Sequence, residues 1–211
     1  MRFFSHLTIT LNIALAAAAS IKEDCPPFPS SMLDFSSNFE QPVPPLVKSE
    51  FNTSFVQHKW NQNLSHITAG YMITSPSKNF VRADEAFEGG IATSFFDYSN
   101  VTKDGLVDNT LTTYNDGSSA LVVWRGYVNS NYPIFAEDIL VSAGAVFGGL
   151  VRRQFIQGRV AAWNIMYQGA IPVTIYVTNC NVMVGYEYFS PGERTKVITD
   201  YFNIRVDDSR S

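Results

Sequence analysis

Two histidines, His58 and His66, lie eight residues apart in the stretch "HKWNQNLSH", and the only other histidine is His6. Imidazole at this spacing could act as a general base or ligate a transition metal. A strand, a turn at "NQN" and a return strand centred on Gln62 would make the two cross-strand partners, with Cβ atoms about 5 Å apart. That is close enough to share a metal. Against it, His58 has the strand parity of Asn52, which heads a glycosylation sequon, so its face is expected to be the solvated one. No third ligand stands nearby, and two histidines make a poor zinc site. The stretch reads as a decorated surface hairpin, and no metal is expected.

Carboxylates are the next candidates. "FVRADEAFEGG" groups Asp84, Glu85 and Glu88 beside Arg82. A cation site at a loop is one reading; a solvated turn with local ion pairs is the other, and it is favoured because the spacing matches no EF-hand loop. There is no GxSxG elbow, HExxH, Walker A loop, GxGxxG or CxxC, so no motif names a reaction or a cofactor. A non-enzymatic protein without cofactors is expected. A secreted hydrolase or isomerase with a carboxylate site is the less favoured reading, because convergence of acids cannot be read from sequence.

Cys25 and Cys180 are the only cysteines. In an oxidising compartment an even pair implies a disulfide, which here ties an N-terminal arm to a late loop and leaves no thiol nucleophile. Secretion is expected from the first twenty residues, "MRFFSHLTITLNIALAAAAS". A positive start, a short apolar centre and a small-residue end are the layout of a cleaved leader, too short to span a bilayer. No transmembrane anchor is expected after processing. Three Asn-x-Ser/Thr sequons, at Asn52, Asn63 and Asn100, agree with a glycosylated extracellular protein.

The whole chain carries a net charge of −4 with only 16% charged residues. No Lys/Arg cluster stands out, which argues against a nucleic-acid partner. Aromatics are abundant, at 16 Phe, 10 Tyr and 3 Trp. Trp60, Tyr71, Phe95, Trp124, Tyr127, Trp163, Tyr167 and Tyr176 fall on expected strands and are the candidate lining of an apolar ligand cavity. Ordinary core packing is the competing reading of each one taken singly.

Four regions should position these residues: a leader over 1–20, a proline-rich extended arm over 21–50, one β-rich domain over 51–205 and a polar tail over 206–211. The arm contains "CPPFPSSMLDFSSNFEQPVPPL", whose prolines remove amide donors and whose Phe28, Leu33, Phe35 and Phe39 could dock it. From Phe51 onward, alternating runs bounded by Gly, Asn, Asp and Pro predict antiparallel strands, with Asp116-Gly117 the clearest tight turn. "PIFAEDILVSAGAVFGGLVRRQF" breaks the pattern. Acid before and Arg152-Arg153 after an uncharged run predict a buried helix over 134–153, interrupted or packed closely at Gly144, Gly148 and Gly149. The fold class expected is mainly β (α+β): a curved antiparallel sheet or half-barrel of nine to ten strands enclosing one apolar helical segment.

This order of strands, apolar helix and further strands resembles the half-barrels of LolA-like lipoprotein carriers and of ependymin-related secreted proteins. "KNFVRADE", "SFFDYSNVTKDG" and "RTKVITDYFNI" are similar to ependymin segments, over residues 51–205. The chain departs from ependymins in lacking most of their cysteines, so their disulfide pattern does not carry over. The resemblance implies a secreted half-barrel that holds a lipid or another small hydrophobic ligand. An extracellular structural or interaction protein with a filled core is the alternative.

Overall fold

The alternation that begins at Phe51 becomes a single eleven-stranded sheet. The computed structural model describes residues 25–33, 40–87, 90–115 and 121–206. The expected leader, Phe35, Phe39, Glu88, the Asp116-Gly117 turn and residues 207–211 lie outside these. The strands are β1 (Phe51–Asn61), β2 (Leu64–Ser75), β3 (Phe80–Phe87), β4 (Gly90–Val101), β5 (Val107–Asn115), β6 (Leu121–Val128), β7 (Val146–Val151), β8 (Val160–Tyr167), β9 (Ile171–Val177), β10 (Met183–Ser190) and β11 (Thr195–Val206). Their order across the sheet is β6-β5-β4-β3-β2-β1-β11-β10-β9-β8-β7, and every pairing is antiparallel. Two meanders, β1–β6 and β7–β11, therefore form two wings joined where the first and last strands pair. The result is an open, curved, mainly β half-barrel, as the strand pattern predicts.

The expected helix over 134–153 is confined to one turn, α2 (Ile139–Ser142), and its second half is the strand β7. Glycine decides this. Gly144 has φ +59° and Gly149 has φ +110° at a bulge against β8, left-handed angles that no helix can contain. The additional strand raises the count from the expected nine or ten to eleven. The only other α-helical turn among the described residues is α1 (Ser30–Leu33) in the arm. No helix of the described residues is long and apolar enough to cross a membrane.

The inner face carries Phe51, Thr53, Phe55 and Gln57 of β1, all buried, alternating with half-buried Asn52, Ser54 and Val56 on the outer face. On β2 the inner residues are Thr68, Met72 and Thr74, while Ile67 and Tyr71 face outward and are exposed. The more apolar face of that strand is thus not its core face. Residues 129–145, the crossover from β6 to β7, run over the inner face and supply Tyr132, Phe135 and Leu140 to the core.

The arm is tied to one end of the same wing. The Val47 amide donates to the Glu137 carbonyl at 2.8 Å, the Lys48 amide to the Asn181 carbonyl at 2.7 Å, and Lys48 forms a parallel bridge with Val182. Cys25 and Cys180 lie at disulfide distance, their Cα atoms 5.2 Å apart.

Candidate functional site

The inner face is where a half-barrel would hold a ligand, and here the crossover covers its centre. Asn131 is gripped from two strands, β1 and β10. Tyr186 Oη donates to its carbonyl at 2.6 Å, and Gln57 Nε2 donates to the same oxygen at 3.4 Å. Lys59 Nζ and Tyr188 Oη both donate to Asn131 Oδ1 at 3.2 Å. Beside it, the Tyr132 ring packs on Phe55 and Phe96 with centroids 5.4 and 5.9 Å apart, and Tyr98 Oη donates to the Tyr132 carbonyl. Phe135 meets Tyr167 and Tyr186 edge-on.

Burial raises the pKa of the Tyr98, Tyr132, Tyr186, Tyr188 and Tyr201 phenols well above the ordinary tyrosine range, so they stay protonated, and Tyr98, Tyr186 and Tyr188 act as donors to the crossover. The void between crossover and sheet, at Phe51, Met72, Phe135, Met183 and Tyr201, is about 10 Å³. That is room for about one water and not for a lipid.

Space for a ligand lies on the opposite face. After β7 the chain turns over the outer surface of β11 and β9. Arg153 Nε donates to Asp200 Oδ1 at 2.9 Å, its guanidinium lies 4.0 Å from the Tyr176 ring centre, and Phe155 packs on Phe202 at 4.8 Å. Burial, ahead of the nearby Glu187 charge, pushes the Tyr176 phenol up to about 12. Between this overhang and the sheet is a pocket of about 470 Å³, walled by Trp60, Ile67 and Ile198 from the strands and by Arg152 and Phe155 from the loop. Its size is that of an ordinary small-molecule site. A second depression of about 590 Å³ on the same face is lined by Val146, Met166, Pro172, Phe189 and Lys196. The two adjoin along β11, where Lys196 is the cross-strand neighbour of Trp60.

The histidine stretch contributes to this pocket in a way its spacing did not announce. The β1–β2 turn holds two residues, Gln62 and Asn63, not three, so His58 pairs with Ile67 and His66 with Lys59. That one-residue difference in register places the two imidazoles on opposite faces and removes the expected cross-strand pair. His58 is on the outer face, as its parity predicts. It stacks on Trp60 with ring centres 3.5 Å apart, its Nε2 is 2.7 Å from Ser65 Oγ, and both rings line the pocket.

The other aromatic candidates are not gathered with Trp60. Tyr71 and Phe95 are exposed on the outer face of the first wing, with Phe95 stacked on Phe80. Tyr127, also on the outer face, donates to Asn100 Oδ1 at 3.0 Å, and Trp124 lies exposed on the inner face of the edge strand β6. Trp163 is fully buried against Phe147, Tyr167 is half-buried on Phe135, and Tyr176 is the platform under Arg153. Eight residues chosen for type alone fall on both faces because strand parity divides them.

The acidic group is divided the same way. Asp84 faces outward, pairing with Arg82 Nε at 3.1 Å and accepting from Thr93 Oγ1 at 2.8 Å, whereas Glu85 faces inward. Burial, opposed by the neighbouring Tyr132 hydroxyl and the Lys59 charge, raises the Glu85 pKa. Among the described residues no three His, Cys, Asp or Glu side chains converge on a point. Of the sequon asparagines, Asn63 is exposed in the turn, Asn52 is half-buried in β1, and the exposed Asn100 uses its amide to donate to Asp108 Oδ2 at 2.8 Å. Arg152, Arg153, Phe155 and Asp200 were not singled out by the sequence. Their signal is the run "RRQF", which looks like the basic end of a helix until β7 displaces it.

No family profile matches the sequence, and no curated protein matches it. Among solved structures the chain is similar to a DUF1329 family protein from Desulfovibrio piger, at 11% identity over 77% of this chain and 88% of that one, with a TM-score of 0.30. It is also similar to an outer membrane lipoprotein-sorting protein domain from Vibrio parahaemolyticus, at 6% identity over 78% of this chain and 88% of that one, with a TM-score of 0.32. The second is of the lipoprotein-carrier kind that the sequence resembles. At these scores neither likeness bears on activity or ligand.

Proposed function

We propose that this is a secreted, glycosylated, non-enzymatic binding protein that takes a small hydrophobic ligand in the outer-face pocket under residues 152–155. The observation that carries the reading is the contrast in space: about 470 Å³ beside Trp60 and Phe155 against about 10 Å³ between the crossover and the sheet at Phe51, Met72 and Tyr201. The pocket sets an aromatic and aliphatic wall, Trp60, Ile67, Phe155 and Ile198, against polar groups from Arg152, Arg153, Gln154 and Asp200, an apolar surface with convergent polar groups as ligand sites have. The interior tyrosines, protonated and bonded to the crossover, serve the fold. The paired cysteines and the sequons support an extracellular setting.

A neutral fluorescent probe, N-phenyl-1-naphthylamine, should bind the full secreted chain and lose affinity about tenfold or more in Trp60→Ala and Phe155→Ala, with the melting temperature little changed. Undiminished binding in both variants would sink the assignment of the site.

The alternative, an extracellular interaction protein with a filled core, is favoured by one feature. The edge strand β6 exposes Leu121, Val122, Val123 and Trp124, each by 45% or more. Sedimentation of the wild type and Val123→Lys separates the readings: a self-association abolished by the lysine would support the interaction protein.

A further inference from the structure

The pocket beside Trp60 has a charge pattern that an aromatic wall alone does not require. Arg152 and Arg153 both line it, and so does Asp200. Arg153 is committed. Its guanidinium lies on the Tyr176 ring, paired with Asp200, and its side chain is only 14% exposed. Arg152 is exposed, and no carboxylate of the described residues pairs with it. Two guanidiniums against one carboxylate leave one uncompensated positive charge at the mouth, in a chain whose net charge is −4. Lys196, on the same face beside Trp60, is balanced by Glu187, which lines the same depression and pairs across to Ile198, so the surplus rests on Arg152.

Guanidinium matches planar anionic groups through paired donors, and such charge-assisted bonds are the stronger ones. Beside Arg152 the lining is apolar at Phe155, Trp60, Ile67 and Ile198, so a charged head and a hydrocarbon body can be held side by side.

We infer that the pocket selects an amphiphile with a single anionic head, a carboxylate or a phosphate monoester, held by Arg152 while its chain lies on Trp60 and Phe155. This deepens the ligand-binding reading and rests on it. Asp200 does not oppose the anion, because Arg153 neutralises it from within the wall. Tyr176 fixes Arg153 there, which leaves Arg152 as the cation that reads the head.

The test is displacement of bound N-phenyl-1-naphthylamine from the full glycosylated chain by decanoate, decyl phosphate and decanol, which share a tail and differ in head. Decanoate or decyl phosphate should displace the probe at roughly tenfold lower concentration than decanol, the ratio expected of one charge-assisted contact. Arg152→Ala should erase that preference, Arg152→Glu should reverse it, and added salt should narrow it. Preference for one anion alone supports the inference and names the head. Equal displacement by all three, or a preference that survives Arg152→Ala, overturns the anionic head while the pocket reading stands. Failure of the probe and of all three ligands to bind overturns both.

Discussion

The hydroxyl of Tyr186 donates to the backbone carbonyl of Asn131 at 2.6 Å, and through that bond the β6–β7 crossover is fixed to the middle of the inner face. Tyr186 is fully buried, so its removal leaves an acceptor that water does not easily reach. Tyr186→Phe should cost about 1–2 kcal/mol of unfolding free energy. Asn131→Ala should cost a similar amount, because the Lys59 and Tyr188 donors lose Oδ1. Chemical denaturation of both variants checks this; wild-type midpoints would mean that the crossover is held by its rings alone.

Phe55 and Trp60 share β1 but face opposite ways, so they should separate stability from binding. Phe55 has no exposed surface and packs edge-on against Tyr132. Phe55→Ala should destabilise by about 3–5 kcal/mol, the range for emptying a large core site. Trp60→Ala should cost much less in stability and abolish probe binding. Thermal melts run beside probe titrations on the same samples measure both.

Glu85 supplies a pH dependence with a definite sign. Its folded pKa is raised by burial, so between the ordinary glutamate value and that raised value the folded state holds a proton that the unfolded state has lost. Stability therefore falls as pH rises through this window and levels off above it. Glu85→Gln should remove that fall, giving a protein more stable than wild type at pH 7 and equal to it well below pH 4. Denaturation midpoints across the pH range test this, and a variant less stable at every pH would show that the carboxylate is a net stabiliser.

Cys25 and Cys180 are 155 residues apart in sequence. In the chain-entropy account, cross-linking so long a loop stabilises by roughly 4–5 kcal/mol. Cys25→Ser with Cys180→Ser should lower the denaturation midpoint accordingly and free the arm at Pro26, whose carbonyl accepts from Asn179 Nδ2 at 3.0 Å. Limited proteolysis should then cut first in the arm.

What could be read from the sequence was the period, and what could not was the face. Alternation in β1 and β2 identifies two strands and a hairpin, yet it does not say which side the core lies on. On β2 the apolar side, with Ile67 and Tyr71, looks outward, while Thr68, Met72 and Thr74 take the core face. The turn at Gln62 was misplaced by one residue because no glycine marks it; Gln62 itself adopts φ +52°. The helix over 134–153 was expected from charge at its ends, while the glycines that convert its second half into β7 act through backbone angles that composition only hints at. Asn131 could not be found at all. An asparagine in a polar loop is unremarkable until the sheet curls around it.

The pairing of β1 with β11 at the centre of the sheet sets the order of assembly. While the chain emerges, β1 has its β2 neighbour but must wait for residues 195–206, the last strand in chain order among the described residues, before its other edge is covered. Until then a long, regular strand flanks a half-formed core, in a topology of high contact order that folds slowly. The nascent protein thus depends on whatever shields open strand edges until then, and truncation by even the final strand should yield an aggregating fragment instead of a smaller domain.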